Sequence, residues 1–304
     1  MTMHSTNLIN MIIPGPASSA APKSGIEVAL VMPCYNEALR LDSETILNFL
    51  HGHPAVHLIL VNDGSTDTTL SLLVSMTHVL PRQITVVDLS VNSGKAEAVR
   101  QGLLHALAMD APLVAYWDAD LATPLDAVED FARVAKRHPE IAVMFGSRRQ
   151  MLGHRIRRTF MRKVISRTCA TMARMALSLA ISDTQCGAKL LRANDALREA
   201  VATPFTAGWL FDVELFARVR RAAHPAENGF YEFPLPQWDE IPGSKVSGRA
   251  VIKAAIRMLG LIGEYRLGLK ASQQAKTATT PSSSPRLFRG GRAIDLPLAF
   301  AAIE

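Results

Sequence analysis

The sequence lacks a cysteine framework. Its 304 residues hold three cysteines, Cys34, Cys169 and Cys186, an odd number with no C-x-x-C spacing. That argues against a disulfide scaffold and for a reduced, cytoplasmic compartment. No apolar run reaches the ~20 residues that a membrane-spanning helix needs. The short run from Leu8 to Ile13 is broken by Pro14 and Pro16 and has no basic residues ahead of it, so it does not read as a secretory signal. Aromatic residues make up only 6% of the chain and no nucleic-acid reader motif occurs, which speaks against a nucleic-acid binder despite the basic charge. The G-x-x-x-x-G-K-[ST] phosphate loop is also missing.

What is present is a hydrophobic, basic chain. It is 48% hydrophobic and 20% charged, enough for a substantial core. The net charge of +6 and the pI near 9.4 call for an anionic partner, whether an acidic membrane or a phosphorylated substrate. Residues 1–24 are rich in Ser, Ala and Pro and read as a disordered arm. From Ile26 onward short apolar runs alternate with helix-length amphipathic stretches. The runs are Ile26 to Met32, His57 to Val61, Ile84 to Leu89, Leu113 to Trp117 and Ile141 to Phe145, with helices expected over 38–50, 66–79, 95–109 and 125–137. Unbroken apolar strands alternating with helices predict an α/β fold, a mostly parallel sheet covered on both faces. A helical stretch is expected over roughly 150–180. From Arg148 to Ser182 there are eight Arg and one Lys, with no Asp or Glu. The main domain is taken as 25–247, followed by a basic amphipathic helix over 248–270. A polar linker opens a mostly disordered tail over 271–304.

In a parallel sheet, ligands bind beyond the carboxyl ends of the strands. Four successive runs end in polar chemistry: Pro33-Cys34-Tyr35-Asn36-Glu37, Asn62-Asp63-Gly64-Ser65-Thr66-Asp67, Asn92-Ser93-Gly94-Lys95 and Asp118-Ala119-Asp120. Asp118 and Asp120 can face one pocket, because side chains alternate along extended backbone. As hard oxygen ligands they suit Mg²⁺ or Mn²⁺ together with diphosphate oxygens, or else they are two solvated loop acids. Asp63 can accept from a base or ribose, while Ser65, Thr66 or Asp67 cap the following helix. Lys95 opens a helix after Gly94, an anion-site setting, with a plain surface lysine as the alternative.

These segments resemble the family 2 glycosyltransferases, which have the nucleotide-sugar-binding GT-A fold. The resemblance is carried by VMPCYNE (31–37), VNDGSTD (61–67), NSGKAEAVRQG (92–102), DADLATP (118–124) and GSR (146–148). SDTQCGAKLLR (182–192), GWLFDVELF (208–216) and WDEIPGSK (238–245) resemble the dolichyl-phosphate glucosyltransferase branch. The resemblance implies an inverting hexosyl transfer, glucose from UDP-glucose, onto a polyprenyl- or dolichyl-type lipid phosphate. It implies that Pro33, Tyr35, Glu37 and Asp63 hold base and ribose. Asp118 and Asp120 would hold metal and diphosphate, with Lys95 and Ala119 at the nucleotide sugar. Arg148 and Lys245 would close over the phosphates. Mannosyl relatives often read DADLQHP and carry an Arg shortly before the lysine of the last motif. Here Ala122 and Glu240 stand in those places, which fits the glucosyl branch and leaves the further metal ligand unassigned.

A phosphate acceptor is already ionised and needs no strong base, so catalysis rests on Asp120 and Arg148 through positioning and charge. A sugar hydroxyl or small phosphorylated acceptor in a soluble enzyme is the alternative, with Asp212 as base in the hydroxyl case, or else as a helix N-terminal charge. Asp183 either shapes the sugar pocket or meets the Arg-rich segment. Arg249, Lys253 and Arg257 recur at four-residue spacing among apolar neighbours. This predicts a peripheral helix on an anionic membrane at its cytoplasmic face, or a helix packed on the sheet with its basic face in water. A decayed scaffold is disfavoured by the intact acid pair.

Overall fold

Each long apolar run forms a strand because both of its faces find a core. In the computed structural model, which describes residues 25–149, 152, 155–157, 170–171, 173–175, 177, 179, 181–223, 229–239, 257, 260, 263, 286–289 and 292–294, β1 spans Val28–Cys34. Ala29 and Val31 enter one hydrophobic cluster, whereas Val28, Leu30 and Met32 enter the other. This is the period-two alternation of a strand between two helical layers. The other strands of the first half are β2 (Val56–Asp63), β3 (Ile84–Leu89), β4 (Leu113–Trp117) and β5 (Ile141–Ser147). The helices between them are α1 (Ser43–Gly52), α2 (Thr69–Val79), α3 (Lys95–Leu107) and α4 (Ala127–Arg137). Asp42 sets the start of α1 by accepting from the Thr45 N–H at 3.0 Å.

The second half adds strands that the apolar pattern does not announce: β6 (Arg155–Arg157), β7 (Ala188–Arg192), β8 (Gly229–Pro234) and β9 (Gln237–Asp239). Its helices are α5 (Asp195–Ala202) and α6 (Phe211–Ala222). Two short strands, β10 (Arg286–Arg289) and β11 (Arg292–Ile294), lie in the tail. The main sheet runs β11-β10-β3-β2-β1-β4-β7-β5-β8. Strands β3, β2, β1 and β4 are mutually parallel, and so are β5 and β8. The single strand β7 runs antiparallel between β4 and β5.

One expectation is corrected. The stretch 150–180 is not one helix, since Arg155–Arg157 is a strand paired in parallel with Gln237–Asp239. Ile156 stands opposite Trp238 and packs on the core, so one apolar residue between two arginines reads as strand alternation. Within the tail, Arg286–Arg289 and Arg292–Ile294 pair with each other, and Arg286–Arg289 pairs with the β3 edge. The expected helix over 248–270 falls almost wholly outside the described residues, as do the arm 1–24 and the linker.

The strand order reverses at β1, with β2 and β3 on one side and β4 on the other. Pairing with β2 continues to Cys34 opposite Asn62, but pairing with β4 stops at Val31 opposite Tyr116. The end of β4 is held instead from the β7 side, where Trp117 stands opposite Ala188 and the Asp118 N–H donates to the Gly187 carbonyl at 2.9 Å. A crevice therefore opens between the carboxyl ends of β1 and β4, the place where open α/β sheets bind ligands. Pro33, which has no N–H to donate, sits in β1 just past its last partner on β4.

Candidate active site

The crevice is walled by loops that fasten to one another. The Asn36 N–H donates to Ser65 Oγ at 3.0 Å, and Asn36 Oδ1 accepts from the Thr66 N–H at 2.9 Å. The Glu37 N–H donates to Thr69 Oγ1 at 2.8 Å. Asp67, not Ser65 or Thr66, serves the start of α2, accepting from the Thr69 N–H at 2.9 Å. Tyr35 lies in this first wall, half-buried.

Asp63 holds the second wall. It is 3% exposed, and its two carboxylate oxygens accept from the backbone N–H groups of Ser93 at 2.7 Å and Gly94 at 3.0 Å. Burial raises its pKa, the two N–H donors oppose this, and the charge of Glu97 adds to the rise. Asp63 thus fixes the turn that launches α3, and with it Lys95. At Gly64, φ is +60° and a Cβ would lie 2.3 Å from the Asn92 nitrogen, so the loops after β2 and β3 meet where only glycine fits.

Asp118 and Asp120 form the floor. Asp120 Oδ1 accepts from the Ala122 N–H at 3.1 Å, and the Trp117 indole donates to the Thr123 carbonyl at 3.0 Å, which sets the turn. Ala119 between the acids is buried. Burial and then the charge of Asp118 raise the Asp120 pKa, with the Ala122 N–H, Lys95 and Arg40 acting against them. The Lys95 ammonium lies 2.5 Å from Asp118 Oδ1. Burial works to lower the Lys95 pKa, but the charges of Asp118, Asp212 and Asp120 outweigh it and hold it above the ordinary value. The site is therefore a patch of excess negative charge with one cation already drawn to it. Two carboxylates in mutual repulsion fit a divalent cation, since the donor set is hard oxygen and a bound diphosphate would supply further oxygens. Among the described residues no group of three or more His, Cys, Asp or Glu side chains gathers, so protein side chains alone do not build a closed metal cage.

Behind Asp118 the loop 183–187 leaves no room. A Cβ on Gly187 would lie 1.9 Å from Asp118 Oδ2. Gly187→Ala is expected to displace that carboxylate and lower transfer by ~10²-fold, the usual cost of misplacing a reacting geometry by about an ångström. Steady-state kinetics beside a circular-dichroism melt would check it, and wild-type kcat/KM would refute the close-packing role.

Arg148 leaves β5 and turns onto Asp183. Its backbone N–H, Nε and one terminal nitrogen donate to the Asp183 carboxylate at 3.1, 2.7 and 2.7 Å, and its guanidinium stacks 5.1 Å over Trp238. Burial works to lower the Arg148 pKa, and the Asp183 charge and hydrogen bond override it. Asp183 thus meets Arg148, the first residue of the Arg-rich segment. Asp212, in the first turn of α6, is 5% exposed, and its Oδ1 accepts from the Tyr116 hydroxyl and lies 3.1 Å from Lys189 Nζ. Lys189, Tyr116 and Gly187 were not singled out from sequence. The available signal was a lysine flanked by Gly187, Ala188, Leu190 and Leu191, an apolar setting that a lysine enters only with a partner. Lys245 lies outside the described residues.

The model of the family described as "Glycosyl transferase family 2" matches residues 29–198, more than half of the chain. The protein belongs to glycosyltransferase family 2. It is a glycosyltransferase with the GT-A fold. It is 31% identical to the dolichyl-phosphate beta-glucosyltransferase of Saccharomyces cerevisiae over 79% of this chain and 77% of that one. It is 30% identical to the Drosophila melanogaster protein of the same name, over 80% and 78%. A relative from Trichomonas vaginalis, also so named, is 29% identical over 81% and 76%. Among solved structures, glucosyl-3-phosphoglycerate synthase from Mycobacterium tuberculosis with Mn²⁺, UDP and glucosyl-3-phosphoglycerate superposes with a TM-score of 0.59. That match is at 18% identity and covers 80% of this chain and 82% of that one. The same enzyme with Mg²⁺ and UDP gives 0.57. At that identity the likeness speaks for the fold.

Proposed function

We propose that this glycosyltransferase moves glucose from UDP-glucose to a polyprenyl- or dolichyl-type lipid phosphate, with inversion at the anomeric carbon and a bound Mg²⁺ or Mn²⁺. The observation that carries this reading is the similarity, across about four-fifths of the chain, to enzymes named for that reaction. The crevice supports it. Asp118 and Asp120 would hold the metal, whose contribution is to stabilise charge on the departing diphosphate. Pro33, Tyr35, Glu37 and Asp63 line the side where base and ribose would lie, and Lys95 brings a cation to the diphosphate end. Arg148, held by its ion pair with Asp183, is proposed at the phosphates. An acceptor phosphate attacks as an anion, so no proton has to be removed, and the residues serve to align two anions and neutralise them.

Lys245 is proposed to close over the diphosphate, since Pro242 and Gly243 precede it and Gly248 follows. Lys245→Ala should weaken UDP-glucose binding by ~1.5–3 kcal/mol, the worth of a charge-assisted contact. Unchanged affinity by calorimetry would remove Lys245 from the site.

Among the described residues no helix is long and apolar enough to cross a membrane. Docking is proposed through the basic stripe Arg249, Lys253 and Arg257. Arg257 also reaches Thr206 Oγ1 at 2.6 Å, which ties its end of the stripe to the turn before α6. Anionic liposomes should float the wild-type protein and leave behind the triple change of these three residues to Glu. Equal partitioning of the two would end the docking proposal.

The reading itself is tested by offering labelled UDP-glucose with polyprenyl phosphate, with 3-phosphoglycerate and with free sugars. Label passing into the organic phase only with the lipid is the expected result. Transfer to a water-soluble acceptor alone would overturn the lipid assignment.

A further inference from the structure

Lys189 sits in the middle of β7 and is wholly buried, with 0% exposure. Its ammonium meets a carboxylate, a backbone carbonyl and an aromatic ring. Nζ lies 3.1 Å from Asp212 Oδ1, donates to the Cys186 carbonyl, and stands 5.0 Å from the centre of the Tyr116 ring. Tyr116, directly opposite Lys189 in the β4–β7 register, donates its own hydroxyl to Asp212. A buried ion pair is a poor way to gain stability, because an apolar cluster of similar volume does as well or better. Its placement suggests another use. Two short arms lead from this ammonium, and both end on Asp118. One runs through Tyr116 in β4, two residues before Asp118, which follows the end of that strand. The other runs through Cys186 to Gly187, whose carbonyl accepts the Asp118 N–H at 2.9 Å and where an added Cβ would lie 1.9 Å from Asp118 Oδ2.

We propose that Lys189 is a positioning residue, a buried cation that locks the Asp118 carboxylate in its donor-binding orientation by tying together α6, the strand before Asp118 and the loop behind it. Lys189 touches neither donor nor acceptor. Asp212, in this arrangement, is the counter-charge of Lys189 and the acceptor for Tyr116. The inference rests on the reading of Asp118 as a residue that holds the metal and diphosphate. Outer partners of a metal-holding carboxylate commonly change metal affinity by ~10–100-fold when removed.

The test is calorimetric titration of UDP into the full-length protein with and without Mn²⁺. It compares wild type, Lys189→Met and Tyr116→Phe. Tyr116→Phe keeps the ion pair and the ring and removes only the hydroxyl, so it reports even where Lys189→Met fails to fold. Each folded variant is expected to lose at least about tenfold in Mn²⁺-dependent UDP affinity, with UDP binding in EDTA unchanged. A purely structural role would move the melting temperature and leave the Mn²⁺-dependent affinity intact. If wild type shows the Mn²⁺ dependence and Tyr116→Phe, together with any folded Lys189→Met, matches it, the positioning role is wrong. If wild-type binding ignores Mn²⁺, the reading of Asp118 fails first and the inference falls with it.

Discussion

Asp120→Asn is expected to lower kcat for glycosyl transfer by ~10³-fold or more, because it removes half of the charge available to a divalent cation where leaving-group charge develops. The fold should not suffer. Burial and Asp118 hold the Asp120 pKa above its ordinary value, so the folded protein disfavours the ionised form. The sign follows from linkage. A carboxyl whose pKa is raised on folding costs stability as pH climbs past its unfolded value. Metal-free wild type should therefore lose stability relative to Asp120→Asn as pH rises through the carboxylate range. Urea unfolding in EDTA at pH 4 and pH 7 measures this, and turnover across a Mn²⁺ titration measures the catalytic part. Near-wild-type turnover in the variant would remove Asp120 from the metal site.

A large stability effect is expected at Arg148 and Asp183. The side chains are 10% and 3% exposed and joined at 2.7 Å, so neither charge has water to fall back on. Asp183→Asn leaves a buried guanidinium without its counter-charge, at a cost of ~3–5 kcal/mol. Adding Arg148→Met should recover part of that loss, since the uncompensated charge goes with it. Urea midpoints of the single and double variants make the comparison. A double variant no more stable than Asp183→Asn would mean that the guanidinium contributes by packing on Trp238 and not through its charge.

The first half of the fold was readable because β1 to β5 are covered on both faces, which forces unbroken apolar runs such as Ile84–Leu89 and Leu113–Trp117. Strand β7 hid behind Lys189 and Arg192. A charge in a central strand is tolerated only because Asp212 arrives from a helix 23 positions later, and no local pattern encodes that meeting. Strand β8 carries Glu232, whose carboxylate accepts from Ser147 Oγ at 2.7 Å and the Ser182 N–H at 3.0 Å, again a partner distant in sequence. The same limit applies to the site. The acids Asp118 and Asp120 stand out because they follow an apolar run. That Lys95 meets Asp118, that Asp63 carries the Ser93–Gly94 turn, and that Arg148 is held by Asp183 are consequences of strand order, which brings those ends together. Strands β10 and β11 pair Arg-flanked residues onto a sheet edge, in a stretch expected to be mostly disordered tail.

The enzyme is proposed to transfer glucose, with inversion and with metal, to a lipid phosphate. The most direct measurement is the linkage in the product made from UDP-glucose and polyprenyl phosphate, read by mass spectrometry and by the anomeric proton coupling in NMR. A single β-linked glucosyl phosphodiester is expected, formed with Mn²⁺ or Mg²⁺ and absent in EDTA. An α-linked product, or the same yield without metal, would contradict it.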